Sequence, residues 1–230
     1  MAVTPRPLLS ARDLACRRGR RRVFSGLDFE LAPGSALILR GANGSGKTSL
    51  LRLLAGLGRP VAGTLTWEGT PLADLGEFYR ALVHYAGHSV GLKAPLSLEH
   101  NLLFWARYLG GDDGRVMPTL ERFGLGPQAL LPAGQLSAGQ QKRGALARLL
   151  VAERPIWLLD EPTVALDSPS QARLFEIIAD HLATGGIAVI ATHMPLDVEA
   201  RVLDLSASPP TAPNGPMPSM TGDAGPAPSC

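Results

Sequence analysis

The sequence has little cysteine, few aromatic residues, almost no excess of one charge and no long apolar run. Two cysteines among 230 residues, Cys16 and Cys230, exclude a disulfide framework and a four-cysteine zinc site, and they suit a reducing compartment. Neither is a catalytic candidate. No Cys-x-x-Cys-His occurs, so c-type haem attachment to this chain is excluded. Lys plus Arg number 22 against 20 for Asp plus Glu, a balance that does not mark a general nucleic-acid binder. The apolar runs fall short of the ~20 residues that a membrane-spanning helix needs. The first residues, Met1-Ala2-Val3-Thr4-Pro5-Arg6-Pro7, lack the apolar core of a signal peptide. A soluble chain is expected, long enough for one domain with a substantial core, with or without a small inserted lobe.

What the sequence does contain is a glycine-rich loop, Gly41-Ala42-Asn43-Gly44-Ser45-Gly46-Lys47-Thr48. It follows an apolar run, Ala36-Leu37-Ile38-Leu39, and precedes Ser49 to Ala55, whose leucines recur at helical spacing. Glycines placed between a strand and a helix N-terminus let backbone N–H groups close on a polyphosphate, and the helix dipole favours negative charge there. Lys47 is then expected to reach the β- and γ-phosphates, and the Thr48 hydroxyl to hold Mg²⁺.

Along the chain, Leu8 to Cys16 and Val23 to Leu31 read as strands around a basic turn, Arg17 to Arg22. That turn is expected to be a solvated hairpin tip. Gly63 to Gly69 and Leu82 to Gly87 read as further strands, with Trp67 in the core or on a sheet surface. Residues from about 95 to 150 turn helical, with Glu99 to Leu109 and Met117 to Phe123 as helices. Ser137 followed by Gln140 is a capping-box start to a helix running to Val151. Gly139 in its first turn costs stability, which suggests a close approach to the backbone there, with a phosphate as the natural candidate.

Pro155 to Leu159 is continuously apolar and ends in Asp160 and Glu161, as expected of a buried parallel strand whose carboxyl end carries ligand-binding groups. Ile187 to His193 repeats the pattern. Three buried strands are thus expected to bring Lys47, the Asp160/Glu161 pair and His193 to one rim. Asp160 is expected to orient Mg²⁺, Glu161 to act as general base toward water, and His193 to hold the γ-phosphate, for ATP or GTP hydrolysis. His84, His100 and His181 are expected to be structural. From about Ala207 to Cys230 the composition turns to Pro, Gly, Ala, Ser and Thr, and a disordered or extended tail is expected.

A small-molecule kinase shares the phosphate loop and Mg²⁺ but leaves the Ser137 to Gln140 helix start unexplained. Leu136-Ser137-Ala138-Gly139-Gln140 resembles the signature motif of ATP-binding-cassette ATPases. The order of phosphate loop, signature, Leu158 to Glu161, Ala165-Leu166-Asp167 and His193 is similar to that family across nearly the whole chain before the tail. The resemblance implies an α/β fold: a P-loop NTPase core of the RecA type, an N-terminal antiparallel β subdomain and an inserted helical subdomain at roughly 89–150, all within residues 1–206. It implies ATP and Mg²⁺ as ligands, and a head-to-tail dimer in which the loop of one copy faces Ser137, Gly139 and Gln140 of the other. Asp167 would communicate across that interface. Members usually stack adenine on an aromatic residue near the first strand's end, where this chain has Cys16-Arg17-Arg18; an arginine plane is the substitute. The usual glutamine between core and helical lobe is missing, and His88 is the candidate for its Mg²⁺ and water contact.

Gly87-His88, Gly91-Leu92-Lys93, Leu98-Glu99-His100-Asn101-Leu102 and the Trp157 strand resemble the ATP-binding subunits of cytochrome c maturation haem exporters. That implies a CcmB-like membrane permease and associated maturation proteins as partners, and a place on the cytoplasmic face of a bacterial inner membrane. No residue here reads as a haem ligand. Other exporters, of lipid, polysaccharide or drug, are the alternative, and a nucleic-acid-associated cassette ATPase is a further one; the large basic groove, extra inserted domains or second cassette that it predicts are not evident.

Overall fold

The computed structural model describes residues 8–19, 21–194 and 199–207. The tail expected from 207 onward lies, from 208, outside the described residues, as does Cys230. The first sheet is antiparallel. It comprises β1 (Leu9–Arg18), β2 (Arg21–Leu31), β4 (Ala62–Trp67) and β5 (Thr70–Pro71), in the order β2-β1-β4-β5. Alternation is what makes β2 a strand here, with Leu27, Phe29 and Leu31 facing the core between exposed neighbours. At Gly63, φ +81°, a Cβ would lie 2.3 Å from the Asp13 carbonyl oxygen, so β4 can approach β1 only as glycine.

The second sheet is parallel throughout: β6 (Val83–Ala86), β7 (Ile156–Asp160), β8 (Ile187–Ala191), β3 (Ala36–Arg40) and β9 (Arg201–Asp204), in that order. Its central strands supply two cores at once. Leu37, Leu158 and Val189 pack toward the antiparallel sheet and helix α1 (Lys47–Leu54), while Trp157, Leu159 and Ile190 pack toward the helices on the other face. Burial on both faces is why these runs are continuously apolar.

Helices α3 (Leu98–Leu109), α4 (Val116–Arg122) and α5 (Ala138–Val151) pack on one another, and α6 (Ser168–Ala183) joins the same core against the sheet. Both features of the capping box are present at α5: the Ser137 hydroxyl accepts from Gln140 N–H, and the Gln140 side chain accepts from Ser137 N–H at 2.9 Å. Gly144 lets α5 meet α3, since a Cβ there would lie 2.6 Å from Leu98 Cδ1.

Two expectations need correction. The basic segment 17–22 is mostly strand, with Arg17 paired to Arg22 and Arg18 to Arg21, because Gly19 at φ +60° closes the hairpin in a tighter turn. Glu161 is not part of its strand. β7 stops at Asp160, and Glu161 stands beyond it at φ +48°, held by its N–H donating to the Ala191 carbonyl at 2.8 Å. Helix α2 (Leu72–Ala81), α6 and β9 had no counterpart in the sequence reading.

His84 and His181 are packed into the fold as expected, while His100 is exposed. His84 is buried and its Nε2–H donates to the Ala152 carbonyl at 2.9 Å. Burial above all, with Arg154, Arg148 and His181 adding like charge, lowers its pKa from 6.5 to about 4. The His181 ring stacks on Trp157 with centroids 3.9 Å apart, and His100 lies beside the Ser97 hydroxyl. Trp67 is buried against Tyr79.

Candidate functional site

The carboxyl ends of β3, β7 and β8 meet at one rim, and the loop from Gly41 to Thr48 leaves β3 there. Gly41, Gly44 and Gly46 have φ of +142°, +82° and +106°, values that exclude ordinary side chains. Gly46 is also hemmed in: a Cβ would lie 2.3 Å from Val23 Cγ1 and 2.9 Å from Phe24 Cδ1. Ala42 and Asn43 are exposed at the tip, and the Ser45 hydroxyl is buried with no hydrogen-bond partner among the described residues.

Lys47 is buried, and its ammonium donates to the Gly41 carbonyl at 2.7 Å, the Ala42 carbonyl at 3.3 Å and His193 Nε2 at 3.1 Å. An ammonium can only donate, so His193 Nε2 is the acceptor and the ring proton sits on Nδ1. The same Nε2 lies 3.4 Å from Glu161 Oε1. Thr48 Oγ1 donates to Asp160 Oδ2 at 2.8 Å, and Asp160 is buried. Lys47, Thr48, Asp160, Glu161 and His193 therefore converge, although they span 147 positions of sequence from 47 to 193.

A cleft of about 710 Å³ opens over this rim, lined among others by Asn43, Lys47, Thr48, His88, Asp160 and Glu161. His88 and Ser89 are exposed in its wall. Arg18 and Val23 line it from the β1–β2 hairpin. Tyr85 and Ser206 are site neighbours that sequence reasoning did not single out, whereas Arg18 belongs to the Cys16-Arg17-Arg18 segment where an arginine plane was expected. Strand alternation puts Tyr85 on the side of Gly87, which was a usable signal. No local signal marks Ser206, whose hydroxyl accepts from Ala42 N–H at 3.3 Å from 164 positions away.

Ser137, Gly139, Gln140 and Asp167 are not in this cleft. They line a separate hollow of about 250 Å³ together with Arg143, Ala165 and Ser170. Asp167 caps α6, accepting from Ser170 N–H at 3.0 Å, and that hydrogen bonding holds its carboxyl below the usual range. Gly139 has a reason inside the chain. A Cβ there would sit 2.9 Å from the Ala165 carbonyl oxygen, so its presence needs no phosphate to explain it.

Residues 24–164 match the model of the ABC transporter family. The chain is 50% identical over 204 residues to the cytochrome c biogenesis ATP-binding export protein CcmA of Rhodopseudomonas palustris strain BisB5, covering 87% of this chain and 98% of that protein. It is 52% identical to the CcmA of Ruegeria pomeroyi, over 86% of this chain and 90% of the other. A putative ABC transporter ATP-binding protein from Pyrococcus furiosus superposes with a TM-score of 0.76 at 25% identity, over 86% of this chain and 96% of that one. The strand order, the loop and these likenesses agree, and the chain belongs to the ATP-binding subunits of ABC transporters, within their CcmA-type branch.

Proposed function

We propose that this protein is the ATP-hydrolysing subunit of a cytochrome c biogenesis exporter, acting as a head-to-tail pair of copies against a CcmB-like membrane permease at the cytoplasmic face of the inner membrane. In this reading residues 1–206 form the cassette, 89–150 its helical subdomain and 207–230 a tail. One observation carries the two-copy reading: the phosphate-binding groups and the signature groups occupy different hollows of one chain. A nucleotide sandwiched between them requires a second copy.

The loop N–H groups and Lys47 hold the phosphates, and Lys47 exchanges one of its present acceptors for a phosphate oxygen. Thr48 and Asp160, already 2.8 Å apart, are the groups that hold Mg²⁺, with His88 in the cleft wall beside them. The donor set fits that ion, which takes one or two protein oxygens and fills its shell with water and phosphate. Mg²⁺ bound there supplies charge neutralisation at the phosphates. Glu161 accepts the proton of the attacking water, and His193 donates a ring N–H toward the terminal phosphate once Lys47 no longer occupies Nε2. Ser137, Gly139, Gln140 and Asp167 serve the site of the opposite copy.

Replacing Glu161 with Gln is expected to keep ATP binding, slow turnover by a factor of about 100 or more and accumulate an ATP-dependent dimer. Sedimentation with the partner permease present tests this, and parental turnover with no dimer overturns it. The exporter assignment is tested separately by deleting the gene and staining c-type cytochromes for haem. Normal staining would remove the cytochrome reading and leave the ATPase one intact.

A further inference from the structure

None of these roles uses Arg148, whose guanidinium is largely buried on the core-facing side of α5. One of its nitrogens, Nη2, donates to the Tyr85 carbonyl at 2.5 Å, at the end of β6. Its Cζ lies 5.3 Å from the ring centre of Trp105 on α3. Its other terminal nitrogen lies 3.7 Å from where a Cβ would stand on Gly91, which is at φ +65°. A desolvated guanidinium stays cationic, so the carbonyl dipole and the indole face are its compensation.

These two interactions and the neighbouring Gly91 fall on three different segments. Tyr85 lines the nucleotide cleft, and the chain then runs through Gly87, His88 and Ser89 in the same wall. The far end of this connection is fixed to α3 by Asn101, which is buried. Its Oδ1 accepts from Lys93 N–H at 2.7 Å, and its amide donates to the carbonyls of Lys93, Leu96 and Ser97. Arg148 pins the near end and Asn101 the far end, with the exposed His88 and Ser89 between them. A planar fork that reaches a carbonyl and stacks on a ring does this where a flexible ammonium would not.

We infer that Arg148 is a positioning residue that makes the cleft wall at 85–91 and helix α3 shift as one body, so that nucleotide occupancy is passed to the helical lobe. This rests on the reading that the cleft binds ATP. The test is amide hydrogen exchange on the full chain, read by peptide, with and without Mg²⁺ and a non-hydrolysable ATP analogue. In the parent, nucleotide should slow exchange in 41–48, 85–97 and 98–109. In Arg148→Met the slowing at 41–48 should persist while that at 98–109 falls about fivefold or more, and Arg148→Lys should lie between the two. KM for ATP should stay within about twofold while kcat falls about tenfold. A purely structural role would speed exchange in α3 equally with and without nucleotide. The inference is overturned if Arg148→Met keeps the nucleotide-dependent slowing of α3, if the parent shows none there, or if both variants fail to fold by circular dichroism. Absence of slowing at 41–48 in the parent strikes the ATP reading instead.

Discussion

Gly46 and Gly44 have similar positive φ values and different surroundings, which separates two costs that a loop glycine can avoid. At Gly44 nothing lies within 4 Å of the missing Cβ, so Gly44→Ala faces backbone strain alone, about 1–3 kcal/mol. Gly46→Ala adds overlap with the half-buried Val23 and with the buried Phe24, whose ring is enclosed by the core. Urea unfolding is expected to rank Gly46→Ala as clearly the less stable, and equilibrium binding to show loss of nucleotide affinity in it. Lys47→Ala should behave differently again: Lys47 lines the cleft and none of its acceptor residues Gly41, Ala42 and His193 is buried, so water can replace the ammonium and stability should change little while ATP affinity falls at least about tenfold. At this scale the loop and the two carboxylates were legible, because their identity and spacing state their chemistry. The left-handed backbone of Glu161 was not, since it follows from a hydrogen bond to Ala191 that exists only once β7 and β8 are paired.

Helix α5 and the central strands were readable because each announces itself locally, the helix through its Ser137/Gln140 cap and the strands through burial on both faces. Helix α2 gives no such signal, being interrupted by Gly76 at φ +53°, and β9 is an edge strand with three of its four residues exposed. Ser137→Ala should cost about 1 kcal/mol of stability by uncapping α5, measurable as a shift in the urea midpoint. Strand β6 makes a pH prediction through His84. The native pKa of about 4 lies below the unfolded value of 6.5, so between those values the unfolded chain binds a proton that the native chain does not. Stability is therefore complete above about pH 6.5 and falls as pH drops toward 4, by up to about 3 kcal/mol. His181, lowered by burial as well, adds in the same direction. Urea midpoints across pH 4 to 7.5 measure the slope, which His84→Gln should flatten.

No described helix is long and apolar enough to cross a membrane, and the transporter role proposed for the whole molecule pairs it with a membrane permease. Fractionation of cells is expected to find the protein with membranes when the permease is co-expressed and to find much less there when it is not. Equal membrane association without the permease would show that the chain holds to the bilayer by another route. The sequence could not reveal that the last described segment returns to the phosphate loop. β9 pairs with β3, Leu205 enters the core, and Ser206 reaches the phosphate loop through Ala42. During synthesis, the loop emerges with β3 lacking this edge partner and waits for 164 further residues. At 5–20 residues per second that interval is on the order of 10–30 s. A nascent chain stalled before Leu205 should therefore leave the ribosome with an unfinished loop, and competence to hold nucleotide should be among the last properties that the growing chain acquires.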